Sequence, residues 1–181
     1  MKPIGNEQRI RKISKNLRLF FQLCTFILPL IPVVCWLCYN DLPQVMHENL
    51  LPGKNIAWLP LNSKLIALTG SLPETVVSVL ALIGLKRLFL LYEQGIYFQA
   101  ENVALFRLLG KLAFWSVLAD VFSKTVLAIA LSINNQPGQR ILSIGFSSDH
   151  LKLLIVAVII MLIGMVTDEG RKIHDELRLT V

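Results

Sequence analysis

Long apolar runs, separated by shorter polar segments, dominate the pattern of the chain. An α-helix needs about 20 mostly apolar residues to cross the roughly 30 Å hydrocarbon core of a bilayer, and four runs reach or approach that length. They occupy residues 19–39, 74–92, 107–133 and 151–167, flanked by a basic segment at 1–18 and a charged helix at 168–181. We therefore predict an all-α membrane protein whose membrane domain, residues 19–167, contains four transmembrane helices.

Turn-forming residues interrupt this pattern in several places. Pro29 and Pro32 predict a kink in the first span, because proline removes a helical hydrogen bond. Residues 40–73 are rich in proline and glycine, so we expect an irregular segment containing a short interfacial helix at Lys64–Leu68, capped by the preceding Asn-Ser pair. Residues 140–146 alternate weakly and predict a short strand.

Composition agrees with the membrane interpretation. The chain is 54% hydrophobic and 17% charged, with a mean hydropathy of +0.60, whereas soluble domains are about one quarter charged. Its net charge of +6 comes from basic residues that stand beside the apolar runs. Charge placed there is typical of membrane topology rather than of nucleic-acid binding, so we expect the lipid bilayer as a partner and no direct contact with nucleic acid.

The basic residues also predict an orientation, because cytoplasmic segments of membrane proteins carry an excess of Lys and Arg. Thirteen lie in the two terminal segments or around a central helical hairpin, which joins the second and third spans. Four lie on the other side: Lys54, Lys64, Arg140 and Lys152. We therefore predict an inner (plasma) membrane protein with both termini and the hairpin in the cytoplasm.

The third span contains an acidic and a basic residue at membrane depth. Asp120 and Lys124 stand four residues apart with the acid first, the favourable order for a helical ion pair, and Ser116 and Ser123 extend the same face. A charge at the centre of a membrane helix costs about 2.5–3.5 kcal/mol on insertion scales, so these side chains should face protein or water. One interpretation is a proton or ion path. The other, which we favour because no acid on another span is evident, is a structural pair.

No residue pattern predicts catalysis. Cys35 and Cys38 have the spacing of a redox dithiol, but no strand precedes them, and buried cysteines in a span behave as small apolar residues. The three histidines, His47, His150 and His174, have no nucleophile or metal-ligand set at useful spacing. We therefore expect a protein that is not an enzyme and that needs neither metal nor cofactor.

The hairpin contains a recognisable motif. Its residues are Leu88, Phe89, Tyr92, Gly95, Phe98, Glu101, Asn102, Val103, Arg107 and Gly110. Together with Pro137-Gly138-Gln139-Arg140 and the ending Val166-x-Asp168-Glu169-Gly170, this motif resembles a bacterial membrane family, the domain of unknown function 2975. The resemblance covers roughly residue 60 to the end of the chain. It implies a four-helix membrane protein, in some members encoded beside a small helix-turn-helix regulator, and leaves the activity open.

Two function classes follow from these observations. The first is an interaction or regulatory membrane protein that binds a cytoplasmic partner, such as a helix-turn-helix regulator, through the hairpin; its candidate residues are Tyr92, Gly95, Phe98, Glu101, Asn102 and Arg107. The second is a small transporter or channel component that uses the Asp120–Lys124 pair. A homo-oligomer is compatible with either class.

Overall fold

The described part of the chain is helical almost throughout. The computed structural model describes residues 5–43, 46, 58–133 and 144–179. Its helices, in chain order, are α1 (Gly5–Ile27), α2 (Leu30–Leu37), a short 3-10 helix (Tyr39–Asp41), α3 (Leu61–Glu93), α4 (Ala100–Ser132) and α5 (Ser148–Leu179). Four segments are long and apolar enough to cross a membrane: Asn6–Leu37, Leu61–Glu93, Ala100–Ser132 and Ser148–Ile173. The predicted all-α class is therefore confirmed, and the number of helical segments suited to spanning a membrane is the predicted four.

The first span is broken at one of the two prolines from which a kink was predicted. Helix α1 ends at Ile27, and a turn at Leu28–Pro29 precedes α2, with the Ile31 N–H donating to the Leu28 carbonyl at 3.3 Å. Pro32 lies within the first turn of α2, where its missing N–H would have had no helical partner. The kink predicted from Pro29 and Pro32 is therefore confirmed, and it lies at Leu28–Pro29.

The second span differs from the prediction. Residues 61–93 form one continuous helix, so the separate interfacial helix predicted at Lys64–Leu68 is wrong, and the helix begins at Leu61, before the span start predicted at Glu74. Pro73 lies inside this helix, although its missing N–H leaves the Thr69 carbonyl without its usual helical donor. Prolines are tolerated in membrane helices when neighbouring groups bond the freed backbone atoms.

Two more helices are longer than expected. Helix α4 begins at Ala100 rather than 107, because the Gln99 carbonyl accepts the N–H groups of Asn102 and Val103 at 3.0 and 3.4 Å. Helix α5 runs without a break across the boundary expected at residue 167. Residues 144–146 are not in a strand, and the rest of the predicted strand and its preceding turn lie outside the described residues.

The chain divides into two compact units, and α3 and α4 contribute to both. Among the described residues, the first unit comprises α1 up to Phe26, Val77–Val117 and the chain from Ser147 onward. Its buried apolar core consists of Leu88, Leu91, Leu105 and Leu109. Glycines let helices approach closely in this unit: a Cβ on Gly110 would lie 2.6 Å from Met161 Cγ, and one on Gly164 would lie 3.1 Å from Phe106 Cβ.

The second unit contains α2 together with the first part of α3 and the last part of α4. Its core comprises Trp36, Tyr39, Leu59, Ala67 and Ala130. Hydrogen bonds at the end of α2 join this helix and the 3-10 helix that follows it to the chain around α3. The Asn40 side chain donates to the Leu59 carbonyl at 3.2 Å and accepts the Leu59 N–H at 2.9 Å, and buried Lys64 donates to the Leu37 carbonyl at 3.1 Å.

Candidate functional site

The acidic and basic residues predicted to pair in the third span form an ion pair. Lys124 Nζ lies 2.7 Å from Asp120 Oδ2, at the i, i+4 spacing of α4. The Asp120 side chain is 22% exposed and the Lys124 side chain 51% exposed. Because much of the surrounding surface is apolar, this exposure places charge on a face of the helix that is otherwise suited to lipid.

The two candidate serines of the same face make different contacts. Ser116 Oγ donates to the Ala113 carbonyl of its own helix at 2.8 Å. Ser123 Oγ is buried and donates at 2.8 Å to the Gly70 carbonyl of α3, in the turn disturbed by Pro73. Ser123 therefore ties α4 to α3 next to the proline, although the carbonyl that Pro73 leaves without a helical donor is that of Thr69.

Glu74 is the residue that sequence reasoning missed. It lies within electrostatic range of both Asp120 and Lys124. We name Glu74, Asp120 and Lys124 the charged cluster. The absence of an acid on another span was the reason for favouring a purely structural pair, and that premise is wrong. The turn formers Gly70 and Pro73 predicted a loop, and this prediction put Glu74 at the start of a span. In the structure, Glu74 lies inside the helix, one turn after Gly70, which contacts α4.

The cysteines and histidines assemble no metal centre among the described residues, where no group of three or more His, Cys, Asp or Glu side chains could hold a metal ion. All three cysteines are free; Cys24 and Cys35 are half-buried and Cys38 is exposed. His150 lies at the start of α5, where its Nδ1 accepts the Ser147 N–H at 2.8 Å. The His47 position and the His174 side chain lie outside the described part of the chain.

The turn of the hairpin is a Schellman motif built on Gly95. Its φ of 81° lies in the left-handed region that favours glycine. The Ile96 N–H donates to the Leu91 carbonyl at 2.9 Å, and the Gly95 N–H donates to the Tyr92 carbonyl at 3.1 Å. Ile96 also packs against the core that contains Leu91, the apolar contact that usually accompanies this motif.

Side chains of the motif hold the two helices of the hairpin together. Asn102 is fully buried, and its Nδ2 donates to the Ile96 carbonyl at 3.1 Å. The Arg87 guanidinium on α3 pairs with Glu101 Oε1 on α4 at 2.8 Å. Arg107 reaches Asp168 of α5 at 3.1 Å. Glu101 and Asn102 therefore hold the hairpin together, whereas Arg107 ties α4 to α5.

The first helix also contacts the hairpin, which the sequence did not predict. Arg18 Nε lies 2.7 Å from Glu93 Oε2, with both side chains about one quarter exposed. The rings of Phe21 and Phe89 stack with their centroids 5.5 Å apart. A Cβ added at Gly95 would lie 2.6 Å from the Arg11 guanidinium, so α1 reaches as far as the turn.

Among the apolar candidate residues of the hairpin, Phe98 is the exposed one, at 56%. One edge of its ring lies 3.5 Å from the position of a Cβ added at Gly170, so α5 leaves room for it. Tyr92, in contrast, is half-buried and contacts both Phe89 and Tyr97 through its ring. Phe98 is thus the apolar member of the motif that the fold leaves available for contact.

A family model described as "Protein of unknown function (DUF2975)" matches residues 41–181. The matched region includes the charged cluster, the hairpin and α5, whereas α1 and α2 precede it. No curated protein and no solved structure shows a significant match to the chain.

Proposed function

We propose that this chain, which belongs to the DUF2975 family, is a multi-pass protein of the bacterial inner membrane that holds a cytoplasmic protein at its hairpin. Four helices with the length and composition of membrane spans support the multi-pass part. The partner class that we propose is a helix-turn-helix regulator, which the family resemblance implies. The protein acts in this proposal by recruitment rather than by catalysis.

The proposed orientation has both termini and the hairpin in the cytoplasm. Its support is the distribution of exposed basic residues: Arg87, Arg107 and Lys111 around the hairpin, and Arg9, Lys12 and Lys15 on α1. Reporter fusions after residue 18, at Gln94 and after residue 181 should give a cytoplasmic signal, and a fusion at Gly53 should give an external one. An external signal at Gln94 would contradict the orientation.

The exposed ring of Phe98 carries the proposal of partner binding. Exposed aromatic residues on a rigid support are typical of interface anchors, since their large apolar area becomes buried at little cost in conformational entropy. The Schellman turn, the Arg87–Glu101 pair and Asn102 supply that rigidity. The exposed basic side chains of the hairpin helices, Arg87 and Arg107, favour a partner with an acidic rim around an apolar pocket.

Site-specific photo-crosslinking tests this proposal. A photoreactive amino acid replaces Phe98 in the full chain, and the matched control position is Phe122 on α4, which is 53% exposed. Irradiation of native cells should give an adduct with a helix-turn-helix protein at position 98 and lipid adducts at 122. The Phe98→Ala variant should reach the same membrane level but recover much less of that protein. Equal recovery of the helix-turn-helix protein by the wild type and by Phe98→Ala would contradict partner binding, as would the absence of a protein adduct at position 98.

A further inference from the structure

One side of helix α1 packs against the hairpin. The residues that make these contacts are Arg11, Arg18 and Phe21. Ser14, which lies between them, is only 3% exposed. Residues spaced by three and four positions return to the same side of an α-helix, so these four residues form one stripe. We name this stripe the inner face of α1.

A second stripe with the same spacing lies on the opposite side of α1. It is shifted by two residues from the inner face, and two residues of an α-helix turn a side chain by about 200°. All of its members are exposed, and we name it the outer face: Arg9, Lys12, Asn16, Leu19 and Leu23. The outer face is therefore basic and polar in its first half and apolar in its second half.

The chain neutralises the basic residues of the inner face but not those of the outer face. Glu7 is the one acid of α1, and it accepts a hydrogen bond from Arg11 at 2.8 Å. Arg18 is paired with an acid of α3 at 2.7 Å. Lys15, which adjoins the outer face, is exposed like Arg9 and Lys12. In the part of the chain that the structure describes, no acid forms an ion pair with any of these three outer cations.

The change from polar to apolar residues along the outer face indicates the depth of these cations. Helix α1 is continuous from Gly5 to Ile27, so Lys15 lies about 6 Å and Lys12 about 10 Å beyond Leu19 along the helix axis. The headgroup layer of one leaflet is about 5–8 Å thick, and a lysine side chain extends along the helix to reach it. Arg9, about 15 Å beyond Leu19, lies within about one Debye length of that layer.

We propose that Arg9, Lys12 and Lys15 bind the phosphate groups of anionic phospholipids in the leaflet from which α1 emerges. This inference rests on the proposal that the chain spans a membrane, and it is independent of the partner at Phe98. Its support is charge complementarity along one rigid helix: cations that no acid of the described chain pairs stand next to an apolar surface that suits the acyl chains of the same lipids. Because the inner face contacts the hairpin, lipid bound at the outer face fixes α1 between the leaflet and the hairpin.

Photo-crosslinking in vesicles of defined composition tests the inference. A photoreactive amino acid replaces Asn16 in the full chain, and the vesicles contain equal parts of phosphatidylglycerol and phosphatidylcholine in both leaflets, so the orientation of the chain does not matter. The matched control position is Leu151, which is 56% exposed and stands beside Lys152, whose ammonium is paired with Asp149 at 2.7 Å. One cation near an anionic lipid surface raises binding about fivefold, so the two lysines should raise the ratio of phosphatidylglycerol to phosphatidylcholine adducts at position 16 to about 25. The ratio at position 151 should stay near one.

Variants assign the preference to the outer cations. Lys12→Gln/Lys15→Gln should bring the ratio at position 16 close to one, and Arg9→Gln alone should lower it by less than fivefold because of its greater distance. Lys12→Arg/Lys15→Arg keeps both positive charges and should retain the high ratio. Lys152→Gln removes a cation that is already paired and should leave the ratio at position 16 unchanged.

Three results would overturn the inference. The first is a ratio near one at position 16 while all three cations are present, and the second is an unchanged ratio in the Lys12→Gln/Lys15→Gln variant. The third comes from irradiation of native membranes, where a protein adduct at position 16 in place of lipid would identify the outer face as a protein interface. If neither position 16 nor position 151 gives lipid adducts, the multi-pass proposal is overturned together with this inference, whereas lipid adducts at 151 with a ratio near one at 16 overturn this inference alone.

Discussion

The three residues of the charged cluster make separable predictions for stability. If Glu74 neutralises Lys124 as readily as Asp120 does, then Asp120→Asn leaves a counter-ion in place and should be mild. Glu74→Gln leaves the 2.7 Å pair of Asp120 and Lys124 and should be mild as well. Lys124→Met is different, because it leaves two carboxylates close together with no positive charge. It should therefore be the most damaging single change.

The expected size follows from the cost of one unpaired charge. An insertion scale gives about 2.5–3.5 kcal/mol for a charged residue at the centre of a membrane helix. At about 1.4 kcal/mol per factor of ten, Lys124→Met should lower the folding equilibrium roughly 100-fold. The two acid variants exchange a charge for an amide of similar shape, and each should stay within about 1 kcal/mol of the wild type.

Equilibrium unfolding of the purified chain in mixed micelles measures these values, and quantitative blots of membranes give the accumulated level. The double variant Glu74→Gln/Asp120→Asn strands Lys124 and should resemble Lys124→Met. The triple variant that also carries Lys124→Met has no charge in the cluster. Its stability should return towards the wild-type value, because removing all charges costs less than leaving one charge without its partner. The coupling would appear as strong non-additivity.

One result would refute this reasoning. If Asp120→Asn is as damaging as Lys124→Met while Glu74→Gln has no effect, then Glu74 does not share the ammonium, and the cluster is an isolated pair. A cluster without structural or ionic importance would instead give equal levels for all variants. Each pattern is distinct from the predicted order, so one set of measurements separates them.

Three further predictions concern packing and the hairpin. Gly70→Ala should lower stability by about 1–3 kcal/mol in thermal unfolding, since its Cβ would lie 2.5 Å from Val126 Cγ1; Val126→Ala should restore much of the loss, and no rescue would contradict this contact. Gly95→Ala should cost about 1–2 kcal/mol because its φ is 81°, whereas Gly95→Asn should cost less, and equal losses would argue against the left-handed cap. Replacing both Cys35 and Cys38 with Ala should leave membrane level and stability unchanged, while loss of a phenotype at normal level would support a redox role.

Local features of the hairpin follow from the sequence because they depend on neighbouring residues. Gly95 stands where a helix ends, and the backbone conformation needed there disfavours any side chain, so the cap is predictable from one position. The pairing of Asp120 with Lys124 is equally local, since residues four apart on a helix are neighbours.

Contacts between distant residues are not predictable in the same way. Arg18 and Glu93 are separated by 75 positions, and neither residue's own surroundings in the sequence indicate the other. The docking of α1 on the hairpin, and the solvent access left to Phe98, are therefore visible only in the folded chain. These contacts decide which apolar residues of the motif are buried and leave the Phe98 ring available to a partner.

The sequence by itself determined the class of the protein, because hydrophobic length and composition suffice to identify membrane spans. The tertiary structure decided where one of the long helices begins. Gly70 and Pro73 are turn formers in isolation, yet α3 runs through them while Ser123 of α4 bonds to the Gly70 carbonyl. That stabilisation comes from another helix, so no local pattern contains it. The same contact brings Glu74 within electrostatic interaction of the ion pair.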